Sequence, residues 1–130
     1  MTPEELRERT KQFALRVIKL VESLPKTPSA RTIGGQLIRS GTSVGANYRA
    51  CCRARSQADF IAKLGIVIEE ADESAFWMEL IIDSQIMKID MIEPLLNEAN
   101  ELVKIFVASR QTARKKNKSQ IANQKSQMIK

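Results

Sequence analysis

The sequence predicts an all-α protein, folded as an up-and-down antiparallel four-helix bundle. Four long segments place apolar residues three or four positions apart, which is the spacing of a helix with one buried face. The four prolines, Pro3, Pro25, Pro28 and Pro94, all fall at predicted helix edges. The links between the segments are short, and helices joined by short links pack as antiparallel neighbours.

The first helix is predicted to begin at Thr2-Pro3 and to end before Pro25. Thr2 and Glu5 form a capping box, with proline at the first helical position. Pro25 ends the helix because its ring removes a backbone donor. Its predicted buried face is Leu6, Thr10, Phe13, Val17, Leu20 and Leu24.

The second helix is predicted to run from about Thr27-Pro28 to about Arg55. Gly41 and Gly45 lie one turn apart inside it. Each glycine costs about 1 kcal/mol relative to alanine in a helix interior, so we expect another helix to approach closely there. The predicted apolar side is Ile33, Leu37, Val44, Tyr48 and Cys51.

The third helix is predicted to follow a very short turn, because Ser56 to Asp59 resembles a second capping box. It extends to about Ser84. Its predicted buried face is Ile61, Leu64, Ile68, Ala71, Ala75, Met78 and Ile82.

The fourth helix begins either at Asp90, with Glu93 as its capping partner, or at Pro94. Beyond Arg110 the apolar spacing is lost, and such a polar segment cannot offset the entropy of ordering. We therefore expect a bundle over residues 1–110 and a basic, disordered tail over residues 111–130. The predicted buried face is Ile92, Leu95, Ala99, Leu102 and Phe106.

The positive charge of the chain is concentrated in that tail. The net charge is +6, yet residues 1–109 carry 14 basic and 15 acidic residues. Residues 110–130 carry seven basic residues and no acidic one. A basic segment of this kind is typical of a nucleic-acid contact. Its candidate contact residues are Arg114, Lys115, Lys116 and Lys118.

The composition argues against catalysis. The chain has no histidine, which excludes serine and cysteine triads, the HExxH zinc site and the di-iron site of ferritin-like bundles. Cys51 and Cys52 are adjacent, so they are predicted to be free thiols. We predict no catalytic residue, no metal and no cofactor. The acidic cluster Glu69, Glu70, Asp72 and Glu73 is interpreted as a solvated or ion-paired face rather than a metal site.

The amino-terminal region and the overall hydropathy predict a cytoplasmic protein without a membrane partner. The first residues are charged rather than apolar, so no signal peptide is expected. The uncharged stretches, residues 32–38 among them, are far too short to cross a bilayer.

Helix three has a second apolar side. With its predicted buried face in the core, the helical rotation puts Ile66, Phe76, Trp77 and Leu80 on the opposite side. Clustered large apolar residues on a surface predict an interface, so these four residues are the candidate oligomer interface. The alternative is that helix three lies more centrally in the bundle.

A basic cluster ends helix two. Arg49 and Arg53 are one turn apart and Arg55 lies next to them. These arginines could contact the phosphates of a nucleic acid. They could equally pair with the acidic residues of helix three, and the sequence leaves both interpretations open.

Three sequence stretches resemble a known family. They are QLIRSGTSVGANYRA (36–50), ARSQADFIAKL (54–64) and EEADESAFWMELI (69–81). They resemble the bacterial four-helix-bundle proteins named for reading frames inside intervening sequences of 23S rRNA genes. The same family includes the accessory variability protein of diversity-generating retroelements. The resemblance covers roughly residues 5–115.

The resemblance implies a ring-like homopentamer of up-and-down bundles. For the retroelement relatives it also implies a basic surface that binds nucleic acid and a reverse transcriptase. Asn47 matches the family's asparagine, which could fix helix register from a buried position or contact a ligand. Many relatives continue with Ala-Glu-Gly, where this chain has Tyr48-Arg49-Ala50, a change that adds a positive charge.

Two functional hypotheses follow. The first is a non-enzymatic, oligomeric protein that binds nucleic acid, and RNA in particular. The second is a protein-interaction scaffold, for example an accessory subunit of a reverse transcriptase.

Overall fold

The computed structural model describes residues 1–129. It consists of four helices: α1 (Pro3–Glu22), α2 (Pro28–Cys51), α3 (Gln57–Asp83) and α4 (Ile89–Ile129). No strand is present in residues 1–129. The predicted all-α class and the four helices are confirmed.

Side-chain caps fix the starts of the first three helices. The Thr2 hydroxyl accepts from the backbone N–H of Glu5 at 3.1 Å, and the Ser56 hydroxyl accepts from Asp59 at 3.0 Å. The Thr27 hydroxyl accepts from Ala30 at 3.3 Å. Each bond satisfies one of the donors that a helix start leaves unpaired. The predicted helix starts at these positions are confirmed.

Two helix ends differ from the prediction. α2 ends at Cys51 rather than near Arg55, because Ser56 must be extended in order to cap α3. α4 begins at Ile89, and Pro94 lies inside its first two turns. A proline removes one hydrogen bond from a helix interior, and α4 accommodates this loss close to its amino terminus.

Each helix packs antiparallel against the next one along the chain. Val17 of α1 lies against Gly41 of α2, and the Ser74 hydroxyl of α3 lies 2.9 Å from the Ser40 hydroxyl of α2. α4 lies against α3 and meets α1 over a shorter stretch. The fold is therefore the predicted up-and-down bundle.

The link between α1 and α4 is partly ionic. Arg9 of α1 donates two hydrogen bonds to Glu98 of α4, with N–O distances of 2.7 Å each. The hydrogen bond with Glu98 raises the pKa of Arg9. A bidentate hydrogen bond of this type fixes the relative orientation of the two side chains as well as their distance.

The predicted core is largely correct. All six predicted residues of the first helix and all five of the fourth are buried. In α2, Ile33 alone of the predicted residues is only half-buried. In α3 the buried arc is wider than predicted, because α2 covers one flank and α4 the other. Ile61, Ile68 and Ile82 are half-buried, whereas Val67, Ser74 and Ile81 are buried in addition to the predicted residues.

The close helix approach expected at the α2 glycines is confirmed. A Cβ at Gly41 would lie 2.8 Å from Val17 Cγ2, and a Cβ at Gly45 would lie 3.4 Å from the Thr10 carbonyl oxygen. At Gly41 α1 occupies the space that a side chain would need, whereas a Cβ at Gly45 would make only an ordinary contact with α1.

The carboxyl-terminal segment differs from the expectation of disorder. α4 continues as a helix through Ile129, and Lys130 lies outside the described residues. Ala113 is buried, and its carbonyl accepts from the Gln57 side chain at 3.3 Å, so bundle contacts reach three residues past the predicted boundary. No glycine or proline follows Pro94, and alanine, glutamine, lysine and arginine are good helix formers. The helix therefore propagates beyond its last core contact.

None of the helices formed by residues 1–129 combines the length and the hydropathy needed to span a membrane.

Candidate nucleic-acid interface

The basic cluster lies where α2 ends and the chain turns into α3. Arg49 belongs to the last turns of α2, and Arg53 and Arg55 lie in the turn itself. All three side chains are exposed. Within residues 1–129 the ion pairs are Arg9–Glu98, Arg39–Glu70, Arg39–Glu73 and Lys63–Asp59. None of these pairs uses an arginine of the cluster.

The ion pairs between α2 and α3 are made by an arginine outside this cluster. Arg39 lies 3.2 Å from Glu70 and also bonds Glu73, and the bond with Glu73 raises the pKa of Arg39. The interpretation of the acidic cluster as an ion-paired face is therefore correct for Glu70 and Glu73.

The backbone of the turn is held in place while its arginine side chains point outward. The N–H groups of Arg53 and Ala54 donate to the Ala50 and Cys51 carbonyls, at 3.1 and 3.0 Å. The Arg55 N–H donates to the Asp59 carboxylate at 3.1 Å. Lys63 bonds the same carboxylate at 2.8 Å and is the main reason that the pKa of Asp59 is lowered.

Two grooves bring this turn together with the start of the basic tail. A groove of about 430 Å³ is lined by Arg55, Gln57 and Phe60 among other residues. A second groove, of about 360 Å³, is lined by Gln57, Phe60 and Lys116 among others. Since Gln57 and Phe60 line both, Arg55 and Lys116 lie at the same end of the bundle. In the sequence these charges form two separate sets, about 60 residues apart.

We call the segment 114–129 the α4 extension. It continues about 24 Å past Ala113, at 1.5 Å per residue. Arg114, Lys115, Lys116 and Lys118 are all exposed. At about 100° of rotation per residue, a basic stripe runs along one side of the helix, formed by Arg110, Arg114, Lys118 and Lys125. Together with Arg49, Arg53 and Arg55, the α4 extension forms what we call the basic end.

The two cysteines are free thiols, as predicted. Cys51 is buried, and this burial raises the pKa of its thiol to about 11. Burial likewise raises the pKa of the Tyr48 hydroxyl to about 12. Both groups are therefore neutral at physiological pH. Residues 1–129 contain no group of three or more histidine, cysteine, aspartate or glutamate side chains placed to hold a metal ion.

The candidate oligomer interface is only partly exposed. Ile66 and Phe76 are 45% and 51% exposed, whereas Trp77 and Leu80 are half-buried and Trp77 packs against the core. The Trp77 ring meets the Phe76 ring edge to face, with centroids 5.0 Å apart. The helix therefore lies more centrally in the bundle than the first interpretation assumes, and it still exposes Ile66 and Phe76.

Asn47 is half-buried and donates to the Ser43 carbonyl of its own helix at 2.8 Å. The bond is local to α2, so it does not fix the register between helices.

Comparisons with known proteins agree with this architecture. A family model described as 23S rRNA-intervening sequence protein matches residues 4–108. The match includes Arg49, Arg53 and Arg55 but ends before the α4 extension. No curated protein is similar enough to the chain to count as a match.

A solved structure provides independent support. It is a protein of unknown function from the S23 ribosomal protein family of Bacteroides thetaiotaomicron. It is 32% identical to this chain, with a TM-score of 0.79, and the similarity covers 85% of this chain and 99% of that one. The resemblance in the three sequence stretches is thereby confirmed: the chain belongs to the 23S rRNA-intervening sequence protein family.

Proposed function

We propose that this protein is a non-enzymatic, cytoplasmic homo-oligomer that binds nucleic acid, and RNA in particular, through its basic end. The observation that carries the proposal is that Arg55 and Lys116 lie at the same end of the bundle, on two grooves that share Gln57 and Phe60. Residues about 60 positions apart in the sequence thus contribute to one positive surface.

The chemistry of this surface suits phosphate. Arginine offers several N–H donors in a fixed fork that matches phosphate oxygens. Arg53 and Arg55 are exposed and belong to none of the ion pairs within residues 1–129. Their donors do not have to leave a carboxylate partner before they bind a phosphate. The exposed cations of the α4 extension add further contacts of the same kind.

Assembly strengthens the proposal. Each subunit offers few phosphate contacts, and several weak sites on one particle bind far more tightly than one site alone. The family resemblance implies a pentamer, and the exposed Ile66 and Phe76 support self-association. The family's name links its members to 23S rRNA, which favours RNA over DNA as the ligand.

A titration of labelled RNA against the wild-type protein at several salt concentrations tests the proposal. Neutralised phosphates release condensed counterions, so the logarithm of affinity should fall linearly with the logarithm of salt concentration. Binding that is absent even at low salt would rule the proposal out.

A protein-interaction scaffold is the second candidate, and the exposed Phe76 beside Trp77 favours it. Aromatic side chains dominate the binding energy of protein interfaces. In that case the partner would be another protein, such as a reverse transcriptase, and any affinity for RNA would be incidental. Copurification with such a partner, lost in Phe76→Glu, together with no RNA binding at low salt, would select the scaffold.

A further inference from the structure

The outer side of α3 carries features that a single chain does not explain. Gly65 lies inside the helix, and a Cβ there would meet no atom within 4 Å. A glycine with open space around it weakens a helix without serving any packing within the protomer. Ile66 and Phe76 on the same side are exposed. We call this side the α3 face: Gly65, Ile66, Glu69, Asp72, Phe76 and Leu80.

The α3 face is acidic as well as apolar. Glu69 and Asp72 are exposed, as are Glu79 and Asp83 beside them. None of the four takes part in an ion pair within residues 1–129. Two α3 faces packed against each other would bring like charges together, which disfavours that pairing. The complement of this face is therefore a different surface.

A groove between α1 and α2 has the complementary features. It has a volume of about 460 Å³ and a floor of small residues, including Ala14, Gly45 and Ala46. A floor of small side chains lets another helix approach closely. Its charged lining comprises three basic residues, Arg7, Lys11 and Arg49, and two acidic ones, Glu4 and Glu8. The groove is thus net positive where the α3 face is negative.

The groove and the α3 face also lie at the same height in the bundle. α1 and α3 both run antiparallel to α2, so they are parallel to each other. Val17 lies beside Gly41, and Ser74 lies 2.9 Å from Ser40, so Val17 and Ser74 are about level. Counting back nine residues along both helices brings Gly65 level with residue 8 of α1, and counting back five brings Glu69 level with residue 12, next to Lys11.

We propose that the α3 face of one copy packs into the α1–α2 groove of the next copy. The inference rests on the proposed homo-oligomer and names its two contact surfaces. Gly65 and Ile66 lie over the small-residue floor, and Glu69 faces Lys11. Such a head-to-tail contact uses two different surfaces of each chain and closes into a ring when the rotation permits. Arg49 then lines the contact, while Arg53 and Arg55 stay outside the groove.

Two tryptophan variants test the proposal. Gly65→Trp blocks the α3 face, and Ala46→Trp fills the groove; the first site is open and the second exposed, so both chains should fold. Light scattering at micromolar concentration should show loss of assembly in each. An equimolar mixture should form a dimer of twice the 14.7 kDa chain mass, because one intact face and one intact groove remain. Ala122→Trp, an exposed alanine on the α4 extension, should assemble like the wild type.

The outcomes separate this inference from the proposed function. If Ala46→Trp assembles normally, or if the mixture gives no dimer, the groove does not receive α3, although the homo-oligomer stands. If the wild type is itself monomeric, the proposed homo-oligomer fails. Circular dichroism checks folding. If a tryptophan variant misfolds, the charge-reversal variants Lys11→Glu and Glu69→Lys test the same contact. Each single variant should weaken assembly, and the double variant should restore it. A double variant no better than the single ones would overturn the proposal.

Discussion

Val17 occupies the space that a side chain at Gly41 would need. A Cβ at position 41 would lie 2.8 Å from Val17 Cγ2 and 2.9 Å from Cγ1. Because the valine side chain is branched at Cβ, few rotamers are open to Val17 within a helix, and it cannot easily move aside. The contact sets how closely α1 and α2 approach each other.

Gly41→Ala should therefore lower the free energy of unfolding by about 1–3 kcal/mol, the usual effect of overpacking, although alanine is the better helix former. Gly35→Ala is the matched control, because that exposed position has no atom within 4 Å of its Cβ. It should raise the stability by about 0.5–1 kcal/mol. Urea unfolding measures both, and a stabilised Gly41→Ala variant would contradict the close contact.

The Asp59 carboxylate should make the stability of the turn depend on acid pH. Its pKa is lowered, first by Lys63 and then by the Arg55 N–H. A lowered folded-state pKa contributes stability above the ordinary carboxyl value of about 3.9, and this contribution is lost as the pH falls through the lower folded value. Asp59→Asn should therefore lose less stability than the wild type between neutral pH and pH about 2. Equal losses measured by urea unfolding would speak against the Lys63 and Arg55 bonds.

The adjacent thiols should differ in reactivity. Cys52 is exposed, whereas Cys51 is buried and its thiol has a pKa of about 11. Because the thiolate is the reactive form, an aromatic disulfide reagent at mildly alkaline pH should label one thiol per native chain, and two after unfolding. Cys52→Ser should abolish labelling of the native chain. Rapid labelling of both native thiols would show that the end of α2 opens readily.

Removal of residues 114–130 should leave the stability of the bundle nearly unchanged. The cut preserves the buried Ala113 and its bond to Gln57, and Arg114, Lys115, Lys116 and Lys118 beyond it are exposed. The same truncation should weaken RNA binding and flatten its salt dependence. A loss of several kcal/mol in urea unfolding would mean that the α4 extension packs on the bundle.

The sequence predicts the helix starts and most of the core because both depend on local signals. Thr2, Thr27 and Ser56 cap their own helices, and the spacing of the α1 residues alone identifies their buried face. The buried arc of α3 was predicted only in part, since Val67 and Ile81 are covered by neighbouring helices whose positions no local pattern reveals.

The sequence predicts the basic residues of this site, but not that the two sets lie at one end of the bundle. Arg55 and Lys116 are distant in the chain, and they lie at the same end of the bundle because α3 begins beside the last core contact of α4, where Gln57 bonds the Ala113 carbonyl. The register of α3 against α4 could have predicted this proximity. The start of helix three lies opposite the part of helix four where the apolar spacing weakens. The helix beyond Arg110 was not predicted either, because the spacing of apolar residues does not report the helix propensity of a polar segment.

Reversing two charges at the basic end is the sharpest test of RNA binding through this surface. Arg53→Glu combined with Arg55→Glu should weaken RNA binding and lower the salt slope by about two for each subunit engaged. Lys26→Glu with Arg31→Glu is the matched control, since these exposed residues lie around the α1–α2 turn at the opposite end of the bundle. Fluorescence anisotropy gives the affinities, and thermal melting confirms that both variants fold. The control should keep the wild-type slope while the slope of the first variant falls; equal slopes in all three proteins would contradict RNA binding through Arg53 and Arg55.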